Sequence, residues 1–577
     1  MNLATLLGAK GDYELAISCY RQAIDQAPSL VQAHNNLGNI LQKIGKYDEA
    51  LLSFRRAVEI RPDYAESHYN LGLLLEKMQR LEEAESSYLR AISLQPTHWQ
   101  AMGNLGNLYR NGGRLLDAQC IDSAVLLLRP DQAGAHCNLG NTWKNLGRFD
   151  DALRCYRAAL ALDPGLHQAH SNLLFSLNYV ESLSVLASLE EARHFGARFE
   201  QYSPVRFDRW SCEDKPEMLR VGFVSGDFRQ HPVAYFLLSV LEKLSRKNLD
   251  LIAFSTFNGD DLYTRKLKPL FSSWIELQEF DDAEAARMIH KLAPHILIDL
   301  SGHTAHNRLP VFACKPAPVQ ATWLGYFATT GVAQIDYVIG DPYVTPLGEE
   351  SHFTESIWRM PKSYLCFTPP EEDVVVNELP ALSKGYVCFG CFNNLSKVND
   401  AVVALWSRVL QQIPGSKLFL KSAQLADPGI VGTTVDRFAA WGIQEDRLIL
   451  DGGSNRIEYL QAYHHVDIAL DPFPYPGGTT SVEGLWMGVP VLTRKGDRFI
   501  AHNGESIAHN TGQDEWIAED EMDFVLKASR FAANLEALAE LRKGLRGQLL
   551  ASNLCDAERF STDLEEAFWG MWMGRER

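Results

Sequence analysis

The pattern of apolar and polar positions changes character once along the chain. Up to about residue 175 it is helical and comes in units. Asn36-Leu37-Gly38, Asn70-Leu71-Gly72, Asn104-Leu105-Gly106 and Asn138-Leu139-Gly140 stand 34 residues apart, Asn2-Leu3 opens the series and Asn172-Leu173 continues it. Ala16, Ala50, Ala84, Ala118 and Ala152 keep the same step, as do Pro28, Pro62, Pro96, Pro130 and Pro164. Short turns such as Gly45-Lys46-Tyr47 and Gly147-Arg148-Phe149 divide each unit into two antiparallel helices. Small residues let the helices approach, and the proline stops the second one. A fixed period of this length predicts a stacked superhelix with a concave face.

These units resemble the tetratricopeptide repeat, and residues 1–175 are assigned to it. The asparagine before the repeated leucine (Asn36, Asn70, Asn104, Asn138 and Asn172) lies beside the apolar stripe, on the side expected to face the groove. An amide offers both a donor and an acceptor, so such a column suits a clamp on an extended peptide backbone. The competing reading is that each asparagine pairs with its neighbouring helix.

Residues 176–216 read as a helical transition, clearest from Leu189 to Phe199, followed by a polar linker from Phe207 to Pro216. At Met218 the period switches. Strands are expected at Leu219–Ser225, Leu249–Phe254, His295–Leu300, Gln320–Leu324 and Tyr337–Ile339, with helices at Val233–Leu244 and Ala283–Lys291. A second set begins near Gly385. It has strands Tyr386–Phe392, Lys417–Leu420, Leu448–Leu450 and His465–Leu470, and helices Asp400–Gln412, Val431–Trp441 and Arg456–His464. Alternating strands and helices predict parallel sheets. The fold class is therefore a helical-repeat superhelix followed by two Rossmann-like lobes, 217–375 and 376–577. A ligand is expected in the cleft at the carboxyl ends of the strands. The segment Phe524–Met573 reads as helical and is expected to cross back onto the first lobe.

The 577 residues require two to four domains. The formal charge of -17 argues against nucleic acid or an anionic membrane as partner, though not against a local basic pocket. The start lacks a signal-peptide pattern and no apolar run is long enough to span a bilayer. With ten scattered cysteines, this predicts a cytoplasmic protein with thiols in a reducing compartment. Cys388 and Cys391 form a lone C-x-x-C, read as strand core rather than a metal or redox site. No G-x-G-x-x-G is present, which counts against a dinucleotide-binding oxidoreductase, and no D-x-D supports a metal-chelated sugar nucleotide. The sequence leaves the oligomeric state open.

Candidate chemistry gathers where strands meet loops. Leu470-Asp471-Pro472-Phe473-Pro474-Tyr475-Pro476-Gly477-Gly478-Thr479-Thr480-Ser481 joins a buried strand to a helix. Gly477 and Gly478 permit close backbone approach, Thr479 and Thr480 add hydroxyls and can cap the helix, and the helix N-terminus suits a phosphate. Glu483, one turn in, suits ribose hydroxyls. Asn393-Asn394-Leu395-Ser396-Lys397 brings a cation for a diphosphate, which with the helix end would stabilise a departing nucleoside diphosphate without metal. An unperturbed His231 would titrate near neutrality, and it is either a proton acceptor or hydroxyl holder, or simply part of a His-Pro turn. His303 is expected to cap or line the cleft, and His306 to face solvent. Arg456 and Tyr459, a turn apart, are placed to hold and stack a nucleobase, or are helix-surface residues.

Four segments carry a resemblance. They are Arg220–Phe228 with His231-Pro232, Pro316–Gln320 with Trp323–Tyr326, Phe392–Lys397, and Asp471–Pro490. They are similar to the O-linked N-acetylglucosamine transferase and SPINDLY family, glycosyltransferase family 41. The resemblance implies a GT-B fold and an inverting, metal-independent transferase without cofactor, moving a sugar from a nucleotide donor to Ser or Thr of proteins bound along the repeats. It implies that His231 matches the active-site histidine often taken as base, and Lys397 the diphosphate-binding lysine. Thr479 and Thr480 match phosphate-binding threonines, and Glu483 a ribose-binding aspartate. Asn394 falls where animal enzymes have glutamine, and Tyr459 where they have a base-contacting histidine. Gly478 replaces an animal histidine, and the large insertion between the lobes is absent. Phe473-Pro474-Tyr475 and Gly302–Ala305 lie closer to the SPINDLY branch. The implied donor is UDP-N-acetylglucosamine, with GDP-fucose as the alternative; a third reading is a repeat scaffold whose second half has lost catalysis.

Overall fold

A computed structural model describes residues 1–202 and 205–575. They divide into two units, Met1–Leu146 with Arg154–Gly165, and Gly147–Leu153 with the chain from Leu166 on.

The repeats are paired helices: Asn2–Lys10 and Tyr13–Gln26, Val31–Lys43 and Tyr47–Ile60, Ala65–Lys77 and Leu81–Leu94, Trp99–Asn111 and Leu115–Leu128, Ala133–Asn145 and Phe149–Leu162. The glycine of each Asn-Leu-Gly is a packing requirement. A Cβ at Gly38 would stand 2.7 Å from the Phe54 ring, and those at Gly72 and Gly140 would stand 2.7 Å from Tyr88 and Tyr156. A ring thus fills the space that a missing side chain leaves. In the pair Trp99–Asn111 and Leu115–Leu128 the ring is replaced by Asp122, buried opposite Gly106. Its carboxylate accepts from Thr142 Oγ1 at 2.7 Å and lies 3.3 Å from Arg110 Nη1. A column not apparent from the apolar pattern closes three repeats: the Nε2 atoms of His34, His68 and His136 each lie 3.0 Å from the carbonyl of Pro28, Pro62 or Pro130.

The boundary expected at 175 falls earlier. Helix His167–Leu177 belongs to the second unit, because its polar side chains are spent there. Ser171 Oγ meets His303 Nδ1 at 3.0 Å, and just beyond the helix Asn178 Nδ2 donates to Tyr326 Oη at 3.2 Å. Helix Val185–Tyr202 follows. The linker Phe207–Pro216 forms neither helix nor strand, yet it is fixed to the first lobe: the Phe207 ring stacks on His290 at 3.8 Å, and Trp210 Nε1 donates to the Lys315 carbonyl.

The first lobe is a seven-stranded sheet built from β1 (Leu219–Ser225), β2 (Leu249–Ser255), β3 (Ser273–Glu276), β4 (Ile296–Asp299), β5 (Val319–Thr322), β6 (Tyr337–Gly340) and β7 (Ser356–Arg359), ordered β3-β2-β1-β4-β5-β6-β7. The second lobe has six strands, β8 (Cys388–Cys391), β9 (Lys417–Lys421), β10 (Leu448–Asp451), β11 (Ile468–Leu470), β12 (Val491–Arg494) and β13 (Ile517–Ala518), ordered β10-β9-β8-β11-β12-β13. Every described pairing is parallel; Leu219 faces Leu249 and Val221 faces Ile296 on either side of β1, and Ile468 faces Phe389 between β11 and β8. The central strands β1, β4 and β8 are almost wholly buried, as parallel strands covered by helices must be.

The C-terminal helix Ala557–Gly574 does cross back onto the first lobe. Ser561 Oγ donates to the Val240 carbonyl at 3.1 Å, Phe568 meets Phe223 at 6.2 Å, and Trp572 packs edge-on to His295 at 4.8 Å. The lobes also meet through Ser506 Oγ donating to Asp341 at 2.6 Å, and through buried His502, which lies 2.6 Å from Glu505 and 3.1 Å from Glu349. All ten cysteines are thiols, and Cys388 and Cys391 are both strand core. No helix among the described residues is long and apolar enough to cross a membrane.

Candidate active site

Each sheet reverses its strand order once, between β1 and β4 in the first lobe and between β8 and β11 in the second. At such a switch point the crossover helices leave to opposite faces and open a crevice at the strand carboxyl ends. The four loops leaving these strands are the ones the sequence singled out. His231 follows β1, His303 and His306 follow β4, Asn393–Lys397 follows β8, and the Pro/Gly loop follows β11.

In the second lobe these loops form one cationic corner. Lys397 Nζ donates to Asn393 Oδ1 at 3.1 Å and to the Pro476 carbonyl at 2.9 Å, and lies 3.8 Å from the centre of the Tyr475 ring. Burial pulls its pKa down to about 8, against the pull of the Asp471 carboxylate. Helix Thr479–Trp486 starts beside it. Its N-cap is Gly478 and no side chain caps it. This corrects the expected threonine cap: Thr480 Oγ1 donates instead to Asn393 Oδ1 at 3.1 Å. The helix therefore presents its N-terminal partial charge with no cap from its own side chains.

The loop is held from beneath. Buried Asp471 Oδ1 accepts from Gly477 N at 3.1 Å and from Ser481 Oγ at 3.0 Å, and Asn503 Nδ2 donates to the Gly477 carbonyl at 3.0 Å. Burial raises Asp471 to about 6. Asp471 also lines a cavity of about 10 Å³, and the Thr493 hydroxyl opposes the rise. A Cβ at Gly477 would collide with Ser481 Oγ, so the glycine is required by close approach. Asn394 is exposed and its Oδ1 accepts from Ser396 N at 2.9 Å, shaping the turn that delivers Lys397.

Glu483 is buried and paired with Arg456 Nη2 at 2.5 Å. Burial raises its pKa and the guanidinium opposes the rise. The Arg456 guanidinium also lies 5.7 Å from the Tyr459 ring and 5.3 Å from that of Tyr235 on the first lobe. The expected pair Arg456 and Tyr459 is thus part of a polar-aromatic wall joining both lobes.

In the first lobe His231 is the N-cap of helix Pro232–Lys243. Its Nδ1 accepts from Val233 N at 3.3 Å and lies 3.6 Å from Asp227 Oδ1. Burial lowers its pKa, Asp227 opposes this and Arg229 adds to it. With Nδ1 accepting, the hydrogen of the neutral ring sits on Nε2, which is then a donor.

His303 departs from the expectation of lining the cleft. It is buried, its Nε2 lies 2.9 Å from the Thr330 carbonyl and its Nδ1 meets Ser171, and burial lowers its pKa to about 3. Both nitrogens are spent inside the fold because helix His167–Leu177 closes over that loop. His306 is exposed, as expected, with its ring against Phe257 at 5.0 Å.

The asparagine column is divided. Asn36 lines a groove of about 460 Å³ with Asn39, Gln42, Lys43, Leu73 and Lys77. Asn70 is buried and donates to Asn35 Oδ1 at 3.3 Å, and Asn104 donates to Tyr69 Oη at 3.4 Å. Asn138 is partly exposed, while Asn172 is buried and lies in the second unit. Sequence reasoning missed Tyr475, Asn393, Asp471 and Asn503 as builders of the site. Pro-Tyr-Pro and Asn-Asn were visible signals for the first two; the others needed tertiary contacts.

Comparison with known proteins bears on the same region. The profile of glycosyl transferase family 41 matches residues 167–368 and 369–564, and tetratricopeptide repeat profiles match 6–45, 43–79, 65–98, 87–119 and 133–166. A Solanum lycopersicum protein named as the probable UDP-N-acetylglucosamine–peptide N-acetylglucosaminyltransferase SPINDLY is 33% identical over 405 residues, 69% of this chain and 43% of the relative. The Arabidopsis thaliana protein of the same named activity, SEC, is 28% identical over 61% of this chain and 37% of its own length. The chain thus spans less than half the length of these curated relatives. The solved structure of a mutant Thermobaculum terrenum O-GlcNAc transferase superposes with a TM-score of 0.76 at 30% identity, covering 94% of this chain and 97% of that one. Repeats, paired parallel sheets and loops at both switch points agree with these matches, and the chain belongs to glycosyl transferase family 41.

Proposed function

We propose that the protein is a protein O-glycosyltransferase that moves N-acetylglucosamine from UDP-N-acetylglucosamine to Ser or Thr hydroxyls with inversion. The observation that carries this reading is the corner where the Lys397 ammonium and the uncapped helix N-terminus at Gly478–Thr480 meet in adjoining switch-point loops. Both favour negative charge, and a diphosphate is the group that gains charge as a glycosyl bond breaks. The acceptor oxygen bonds to the anomeric carbon from the side opposite the diphosphate and releases its proton to solvent water. The bond to the diphosphate breaks, and its electron pair goes to the leaving group, which Lys397 and the helix stabilise.

His231, with its hydrogen on Nε2, donates to an oxygen of the substrates rather than taking the hydroxyl proton. Arg456, Tyr459 and Glu483 face the nucleoside. The acceptor lies along the repeat groove, where Asn36, Asn104 and Asn138 are the partly exposed members of the column.

Calorimetric titration of UDP and GDP into the protein without added metal tests the reading. UDP binding that Lys397→Ala weakens is expected. Binding of GDP alone would replace the donor by GDP-fucose, and binding of neither would leave a scaffold.

A further inference from the structure

The Lys397 ammonium has three N–H groups and two oxygen partners, Asn393 Oδ1 and the Pro476 carbonyl. The Tyr475 ring face lies 3.8 Å away. That ring is not loose. It is flanked in sequence by Pro474 and Pro476, which restrict the backbone that aims it. It is packed by Tyr179 at 4.8 Å and by Phe327, edge-on, at 4.8 Å. Tyr179 is stacked in turn by Phe149 at 4.3 Å. A Cβ at Gly147, two residues before Phe149, would stand 3.4 Å from Ser396 Cα, so that turn also abuts the loop bearing Lys397.

We infer that Tyr475 is a positioning residue for Lys397: its ring, braced by Tyr179 and Phe327, holds the ammonium at the place where the leaving diphosphate must be met. This rests on the reading of the site given above. A π face favours an ammonium electrostatically while forming no hydrogen bond that a phosphate oxygen would have to displace. The charged lysine is thereby kept in place with a donor left for the ligand. Burial already draws Lys397 down to about 8, so losing the ring face would make it give up its proton at still lower pH.

The test is calorimetric affinity for UDP and GDP between pH 7.5 and 9.5, with thermal melting, for the full chain and for Tyr475→Phe, Tyr475→Leu, Tyr179→Leu and Lys397→Ala. Tyr475→Phe is expected to bind within about twofold of the parent. Tyr475→Leu is expected to lose about tenfold at pH 7.5 and to begin its alkaline loss of affinity at lower pH, with Tyr179→Leu showing a smaller change in the same direction. If Tyr475→Leu melts lower but keeps the parent's affinity and pH profile while Lys397→Ala loses binding, the positioning role is overturned and the site stands. If Lys397→Ala binds as the parent does, or the parent binds neither nucleotide, the reading of the site fails and the inference with it. Should Tyr475→Leu fail to fold, Tyr179→Leu against the parent separates the same two outcomes.

Discussion

An ammonium drawn out of water keeps its charge only where oxygens and a π face replace the lost hydration, and Lys397 has both. Such a cation stabilises little in the folded protein, because desolvation offsets its contacts. Lys397→Ala is therefore expected to shift stability by less than about 1 kcal/mol while lowering kcat by about 10²- to 10³-fold, measured by thermal melting beside donor turnover. His231 separates two roles in one side chain. Its Nδ1 caps a helix, and the ring stays about one third exposed. His231→Asn keeps a good cap and is expected to melt near the parent, whereas His231→Ala should lose about 1 kcal/mol. Both should lose turnover by about 10²-fold or more. Equal turnover in parent and Asn variant would reduce His231 to a cap. These residues were legible in the sequence because strand, loop and helix starts are local patterns. His303 was misplaced for the complementary reason: its partners Ser171 and Thr330 lie 132 and 27 residues away, and no local spacing encodes them.

The helical pairs were the most legible elements, since a step of 34 repeats the same packing problem and its solution. Asp122 is where the solution changes. A buried carboxylate with Arg110 and Thr142 replaces a ring, and breaking such a pair costs more than replacing it whole. Asp122→Ala is expected to destabilise by about 3–5 kcal/mol. Asp122→Phe with Arg110→Leu, which restores the ring facing Gly106, should recover most of that loss. Urea unfolding followed by circular dichroism decides, and an additive double variant would contradict the pairing. Gly72→Ala, with its Cβ driven into Tyr88, should cost about 1–3 kcal/mol. Among the strands, the central ones announce themselves as buried apolar runs. The edge strands β3 and β7 were missed because they are short and half-exposed, and β13 has only two residues; β12 was missed although it is interior, because its four residues follow directly on the turn at 488–490.

At the scale of the whole molecule, the two lobes are clasped by a charge arrangement that the sequence did not reveal. Burial alone would lower the His502 pKa, but its bonds to Glu349 on the first lobe and Glu505 on its own more than offset this and raise it to about 9. The folded-state value lies above the unfolded one of about 6.5. The clasp therefore contributes fully below that pH, and the contribution is lost as pH rises through about 9. Lys397, lowered by burial, has the opposite slope, so the comparison must be with His502→Gln rather than with the absolute profile. The parent's melting temperature is expected to fall more steeply than the variant's between pH 7 and 9.5; parallel curves would contradict the clasp.

The central claim is transfer of a sugar from a nucleotide donor to a hydroxyl, with the leaving charge met by Lys397. The measurement that tests it most directly is mass spectrometry of a Ser- and Thr-containing peptide library incubated with the protein and UDP-N-acetylglucosamine, with Lys397→Ala alongside. The account predicts N-acetylhexosamine on Ser or Thr, UDP released in step, and neither with the variant. Modification that proceeds undiminished in Lys397→Ala, or none with either UDP-N-acetylglucosamine or GDP-fucose, would contradict it.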